Sequence, residues 1–255
     1  MQVRGIAVLA VVVSLALPPG ALQALPESDD ADCAQQGPAV PLPATKLFIE
    51  HNATDEDTGV HGLFDGLDWT TLCVFDPRGR LILKVEPERQ LRRQPMSGIF
   101  FESAEPPNEE VPIETILKRF PEGQYAVRGR VADGRRLRGA ATFTHAIPAG
   151  PVITFPADGG QVPATNLTVT WEHVTTTLGG KPLTRTGYEV IVTKDAPDDP
   201  HGFSLPTLDV HVPPSVTSLS IPDQFLEPHT RYELEVLVLE VSGNQTLTSL
   251  HFETQ

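Results

Sequence analysis

Apolar residues along this chain recur mostly at alternate positions, the period of half-buried strands. The clearest runs lie in the second half. Leu167, Val169 and Trp171 share one face, as do Tyr188, Val190 and Val192, then Leu208, Val210 and Val212, with Leu219 and Ile221 as one further inward pair. Thr168, Thr170, Glu189, Asp209 and His211 fall between them and are expected to face water. In the first half, strands are predicted at Leu47–Ile49, Trp69–Phe75, Arg80–Val85 and Ile99–Phe101. Asp76-Pro77-Arg78-Gly79 has the residues of a type I turn and should close a hairpin. Asp133-Gly134 should close another, between Tyr125–Val131 and Leu137–Phe143. Only Pro112–Phe120 breaks the pattern: a proline start with Ile113, Ile116, Leu117 and Phe120 on one face predicts one or two helical turns.

The 25 prolines and 20 glycines punctuate these runs as turns between short strands do. Residues 1–24 have a secretory layout, with Arg4, then an apolar run from Ile6 to Leu17, then small residues around Ala21–Ala24. That run is too short to span a bilayer, and no later segment is apolar enough to do so. Export is therefore expected, extracellular or periplasmic, with no membrane span in the mature chain. Residues 25–44 are acidic, Pro-rich and aperiodic, and are read as a flexible leader. The stiff link Ile147-Pro148-Ala149-Gly150-Pro151 divides the remainder into two domains, 45–148 and 151–255.

A net charge of −14 argues against a nucleic-acid partner. The two cysteines, Cys33 and Cys73, either form one disulfide in an oxidising compartment or leave Cys73 as a small buried hydrophobe; spacing alone does not decide.

Residues 151–255 resemble a fibronectin type III domain. The marks are Pro151-Val-Ile-Thr-Phe-Pro156, Trp171 on an early strand, Tyr188-Glu-Val-Ile-Val192, and Leu226-x-Pro228-x-Thr230-x-Tyr232-x-Leu234-x-Val236 before a terminal strand. The resemblance implies a β-sandwich with a tyrosine corner, and a binding or spacing role rather than catalysis. Leu117 to Val127 repeats this grammar around Tyr125, and Trp69 precedes Tyr125 at nearly the spacing by which Trp171 precedes Tyr232. The fold class expected is all-β, with two tandem immunoglobulin-like sandwiches; the helical stretch leaves the first domain's topology open. The layout resembles that of exported two-domain bacterial proteins.

Motifs for nucleophilic, zinc-protease or phosphate-cradling chemistry do not occur, so no enzyme and no cofactor are expected. In His51-Asn-Ala-Thr-Asp55-Glu-Asp57-Thr-Gly59-Val-His61, Asp55 and Asp57 are candidate Ca²⁺ ligands, against the alternative of a solvated acidic turn. His51 and His61 match no zinc spacing. Arg128, Arg130, Arg136 and Arg138 should form one strand face, with Arg135 at the turn, suited to an anionic polymer unless neighbouring acids neutralise it. Leu237 and Leu239 interrupt an otherwise polar outer strand face and predict contact with a neighbour, the first domain or another chain, or else packing under a loop of the same domain. Asn52, Asn166 and Asn244 begin Asn-x-Thr triplets, glycan acceptors only in a eukaryotic secretory pathway. The role expected is an exported, non-catalytic binding or scaffolding module for an extracellular protein or polysaccharide. A Ca²⁺-stabilised adhesion or envelope protein, and an accessory binding module of a secreted hydrolase system, are the alternatives.

Overall fold

A computed structural model describes Cys33 and residues 38–195 and 205–255. The stretch 1–24 read as a secretory segment, and most of that read as an acidic leader, lie outside these residues. No helix among those described is long and apolar enough to cross a membrane.

The first domain holds β1 (Ala39–Pro41), β2 (Ala44–Asn52), β3 (Asp57–Phe75), β4 (Leu81–Val85), β5 (Met96–Glu102), β6 (Gly123–Val131) and β7 (Arg136–Phe143), with helices α1 (Arg89–Arg93) and α2 (Ile113–Arg119). Both Asp-turn hairpins form as predicted. The amides of Arg78 and Arg80 donate to Asp76 Oδ1, and the amide of Arg135 donates to Asp133 Oδ1. Helix α2 occupies the predicted stretch, starting after Pro112 and burying Ile116.

One reading needs correction. Strand β1 falls inside the stretch taken as leader. Val40 and Leu42 pack on the core, and Pro41 is tolerated because β1 is an edge strand paired in parallel with β7. The acidic run 51–61 comprises the end of β2, a four-residue turn and the start of β3.

The 19-residue β3 is the organising element. Its first part pairs with β2 and β5, and its last part pairs with β6 and β4. Register shifts between Asp65 and Trp69 and between Trp69 and Thr71 mark where it bends. A single strand thus serves both layers, as happens where sheets turn a corner. Trp69, Phe64, Leu72 and Tyr125 are sealed between those layers. The first domain is therefore a sandwich, but not a second copy of the other's topology.

The second domain comprises β8 (Ile153–Phe155), β9 (Gly160–Val162), β10 (Thr168–Trp171), β11 (Arg185–Lys194), β12 (Thr207–Val212), β13 (Ser218–Ser220), β14 (Arg231–Glu240) and β15 (Gln245–Thr254). Strands β13, β10 and β8 form one sheet, and β15, β14, β11 and β12 face it, as the fibronectin type III resemblance implies. The alternating residues read from sequence fill the core between them. Trp171 meets Tyr188 edge to face at 5.5 Å, and Tyr232 stacks on Phe252 at 5.4 Å. Each corner tyrosine pins its loop: Tyr232 Oη accepts from the amide of Glu227 at 2.8 Å, and Tyr125 Oη donates to the Pro121 carbonyl at 3.0 Å.

The domains are not beads on a linker. Strand β15 pairs in parallel with β2 (Gln245 opposite Glu50, Thr246 opposite His51, Leu247 opposite Asn52), so their sheets join into one of 12 strands. The buried Asn244 side chain extends that ladder by one step. Its Oδ1 accepts from the amide of Ile49 at 2.8 Å, and its Nδ2 donates to the carbonyl and hydroxyl oxygens of Thr144 at 3.0 and 3.1 Å. Thr246 donates to the Pro148 carbonyl at 2.8 Å. Gly150 lies so close to Ala53 and Thr248 that a side chain there has no room.

Candidate functional site

Where the two sheets join, their common outer face is concave, a cleft of about 720 Å3. Pairing carries this face from β5 and β3 across β2, β15 and β14 to β11 and β12. On β14, alternation puts Glu235, Leu237 and Leu239 into the cleft in that order, and Val241 follows just past the strand's end. Leu237 forms the floor at 4 % exposed, Leu239 is half-buried, and Val241 at the rim is 63 % exposed. Leu247 lies opposite Leu237, and Phe48 and Phe100 continue the apolar surface into the first domain. The predicted apolar break at Leu237 and Leu239 therefore lies at the junction, in this cleft.

Carboxylates ring the apolar floor. Glu50 is bonded by the Gln245 amide, and Glu189 Oε1 lies 3.3 Å from His211 Nε2. His61 is held edge-on between the rings of Phe48 and Phe100, with Nε2 2.8 Å from Glu105 Oε1 and Nδ1 3.7 Å from Glu50. Glu105 reaches it by lying over Gly59, where any side chain would collide with it. No donor or cation among the described residues reaches Glu235. Burial raises Glu50 and Glu189 above the ordinary carboxyl range. Burial, then the charges of Glu233, Glu50 and Glu189, pushes Glu235 from 4.5 up to about 7.

The folded chain thus keeps a proton on Glu235 that the unfolded chain releases. Its stabilising contribution is complete below pH 4.5 and is lost as the pH rises towards 7. Solvent screening at this partly exposed site leaves a penalty on the order of 2 kcal/mol above neutrality. Urea unfolding of the parent and Glu235→Gln should coincide at pH 4 and diverge, with the variant more stable, by pH 8. A constant difference across that range would contradict the assignment.

Two groups bring three ligand atoms together among the described residues: Glu50, His61 and Glu105, and Glu189, Asp209 and His211. Neither includes Asp55 or Asp57. Asp55 Oδ2 is taken by the Asn52 amide at 2.9 Å, in a turn capped by Asn52 Oδ1, and Asp57 lies in β3. His51 and His61 lie on opposite faces of the β2–β3 hairpin. His51 is buried, with Nδ1 2.8 Å from the Asp57 carbonyl.

The arginine face is laid out as alternation predicts. Arg128 lies directly across from Arg138, and Arg130 from Arg136. Arg128 sits over the Phe75 ring at 4.9 Å, while Arg135 turns aside to pair with Asp133 at 2.7 Å. Cys33 and Cys73 are joined by a disulfide, Cα to Cα 5.9 Å. Asn166 is exposed, Asn52 is committed to its turn, and Asn244 is 1 % exposed with its amide fully used, so its reading as a glycan acceptor fails on burial.

Sequence reasoning did not find Glu50, Glu105, Glu189 or Glu235 as site residues. None belongs to a motif, and pairing between distant segments brings them together.

No family model matches the sequence, and neither does any curated protein. Among solved structures the chain is similar to the FN1–FN3 domains of chicken CNTN1, at 14 % identity over 86 % of this chain and 65 % of that one, with a TM-score of 0.34. It is also similar to a tetra-tandem repeat in the extending region of a large adhesion protein, at 11 % identity over 83 % of this chain and 50 % of that one, with a TM-score of 0.28. A third similar structure is E. coli alpha-2-macroglobulin in its native conformation, at 12 % identity over 83 % and 14 %, with a TM-score of 0.27. The chain spans less than two thirds of the length of each, and the likeness is one of fold alone.

Proposed function

We propose that this chain is an exported, non-catalytic binding or scaffolding protein, acting outside the cell or at its surface, and that it binds through the cleft where its two sheets join. The observation that carries this reading is the run of Leu237 and Leu239, with Val241 just past the strand's end, on an outer face where polar residues are the norm. A cleft of about 720 Å3 with an apolar floor and a few polar groups has the size and make-up of binding sites in general. The disulfide supports an oxidising compartment. The arginine hairpin offers a second face, where Arg128 lies directly opposite Arg138 and a bound anion would relieve the repulsion of those like charges.

The test is an array of extracellular proteins and glycans probed with the parent, with Leu239→Ser/Val241→Ser and with Arg128→Glu. Both leucine and valine positions are accessible enough to change without opening a core. The expected result is a ligand retained by the parent and by Arg128→Glu but weakened at least tenfold by the double variant. Equal retention by all three would remove the cleft from the function. Loss in Arg128→Glu alone would move it to the arginine face.

A further inference from the structure

We propose that the cleft takes an extended segment of a partner protein with the pattern basic-x-apolar-x-apolar, its Lys or Arg set against Glu235 and its apolar side chains over Leu237 and Leu239. This rests on the cleft being the binding surface and adds the chemistry of the occupant.

Three observations fix that chemistry. The first is charge: Glu50, Glu102, Glu189 and Glu235 line the cleft, whereas its one lysine is Lys46, and the cleft histidines His61 and His211 are already matched to carboxylates. The second is an unfilled partnership. Among the three half-buried carboxylates that repel one another, Glu50 has Gln245 and Glu189 has His211, but Glu235 has no donor among the described residues. A cation from outside would both pair with it and relieve its repulsion by Glu50 and Glu189.

The third observation is spacing. Glu235, Leu237 and Leu239 are successive same-face positions of one strand, about 7 Å apart. An occupant that is itself extended repeats its side chains at that interval two residues apart, whereas the same-face residues of a helix, i and i+3 or i+4, recur about 5–6 Å apart and drift out of step with the strand. A metal ion fits this position poorly, because Glu235 belongs to neither group of convergent ligand atoms.

The experiment is fluorescence anisotropy of the mature chain with three labelled peptides: alternating Lys-Ser-Leu-Ser-Leu, its Glu-Ser-Leu-Ser-Leu counterpart, and a scrambled peptide with Lys and both leucines adjacent. The alternating basic peptide should bind best, and Glu235→Gln should weaken it about tenfold or more. Glu235→Lys should reverse the preference towards the acidic peptide. Glu235→Gln removes only a repulsive charge, so the folded chain survives the test. Absence of binding, equal binding of basic and acidic peptides, or indifference to Glu235→Gln would each overturn the proposal. The two readings fail separately. An array ligand lost in Leu239→Ser/Val241→Ser, beside peptides indifferent to charge, leaves the cleft as the site and discards the basic partner; an array ligand indifferent to that variant discards both.

Discussion

Replacing Cys33 and Cys73 by serine should lower the stability of the first domain by about 4 kcal/mol, the chain-entropy value for a crosslink spanning 40 residues. Cys33 is 1 % and Cys73 0 % exposed, and with Phe75 they form a small apolar cluster against Leu81 and Ala126, apart from the main core. The bond anchors the chain just ahead of β1, whose only strand partner among the described residues is the edge of β7. Without it, β1 would be held by three residue pairs and the burial of Leu42. Reductant should therefore shift the urea midpoint of the parent down to that of the double-serine variant and leave the variant itself unmoved. A parent midpoint insensitive to reductant would refute this, and would mean that the bond constrains the unfolded chain little.

The strands, both corner tyrosines, helix α2 and the arginine face were legible because each is written in a local period. Tyr232 and Tyr125 could be placed because a buried phenol must find a partner nearby, and the loop just before the strand supplies it. The path of β3 was not legible. Asp65 to Asp68 looks like a turn from its Gly and acids, but it is the bend by which one strand passes between layers. The cleft was visible only as a fragment. Leu237 and Leu239 break the polar face of β14, which pointed to a neighbour, but Glu189 on β11 and His211 on β12 read as ordinary water-facing residues. What makes them a site is the parallel pairing of β2 with β15, and contact between segments that far apart leaves no periodic trace in either. Asp55 and Asp57 were brought together by composition; in the hairpin Asp55 is bonded by Asn52 in the turn and Asp57 lies in a strand.

The shared sheet, and with it the cleft, should depend on Asn244. In Asn244→Ala the amide of Ile49 and the carbonyl of Thr144 lose their partner inside the junction, a cost of about 3 kcal/mol for two buried groups left unpaired. Asn244→Asp should be no milder: its carboxylate still accepts from Ile49 but faces the Thr144 carbonyl oxygen, to which the native amide donates at 3.0 Å. The loss falls on the contact between domains, not within either core, because Ile49 and Thr144 belong to the first domain and Asn244 to the turn before β15. Native-state hydrogen exchange separates the two cases. At Ile49, exchange should quicken roughly a hundredfold, as 3 kcal/mol of lost protection requires, while the amides of Leu234 and Val236 in the second core keep their parent rates. Uniform acceleration at all three would show that Asn244 supports the second domain's own fold, and unchanged exchange at Ile49 would show that the β2–β15 ladder holds the junction without it. In the expected case the variant should also lose cleft binding while both sandwiches stay folded. Glu50 and Phe48 come from one domain and Glu235 and Leu239 from the other, so the cleft exists only while the two sheets are joined.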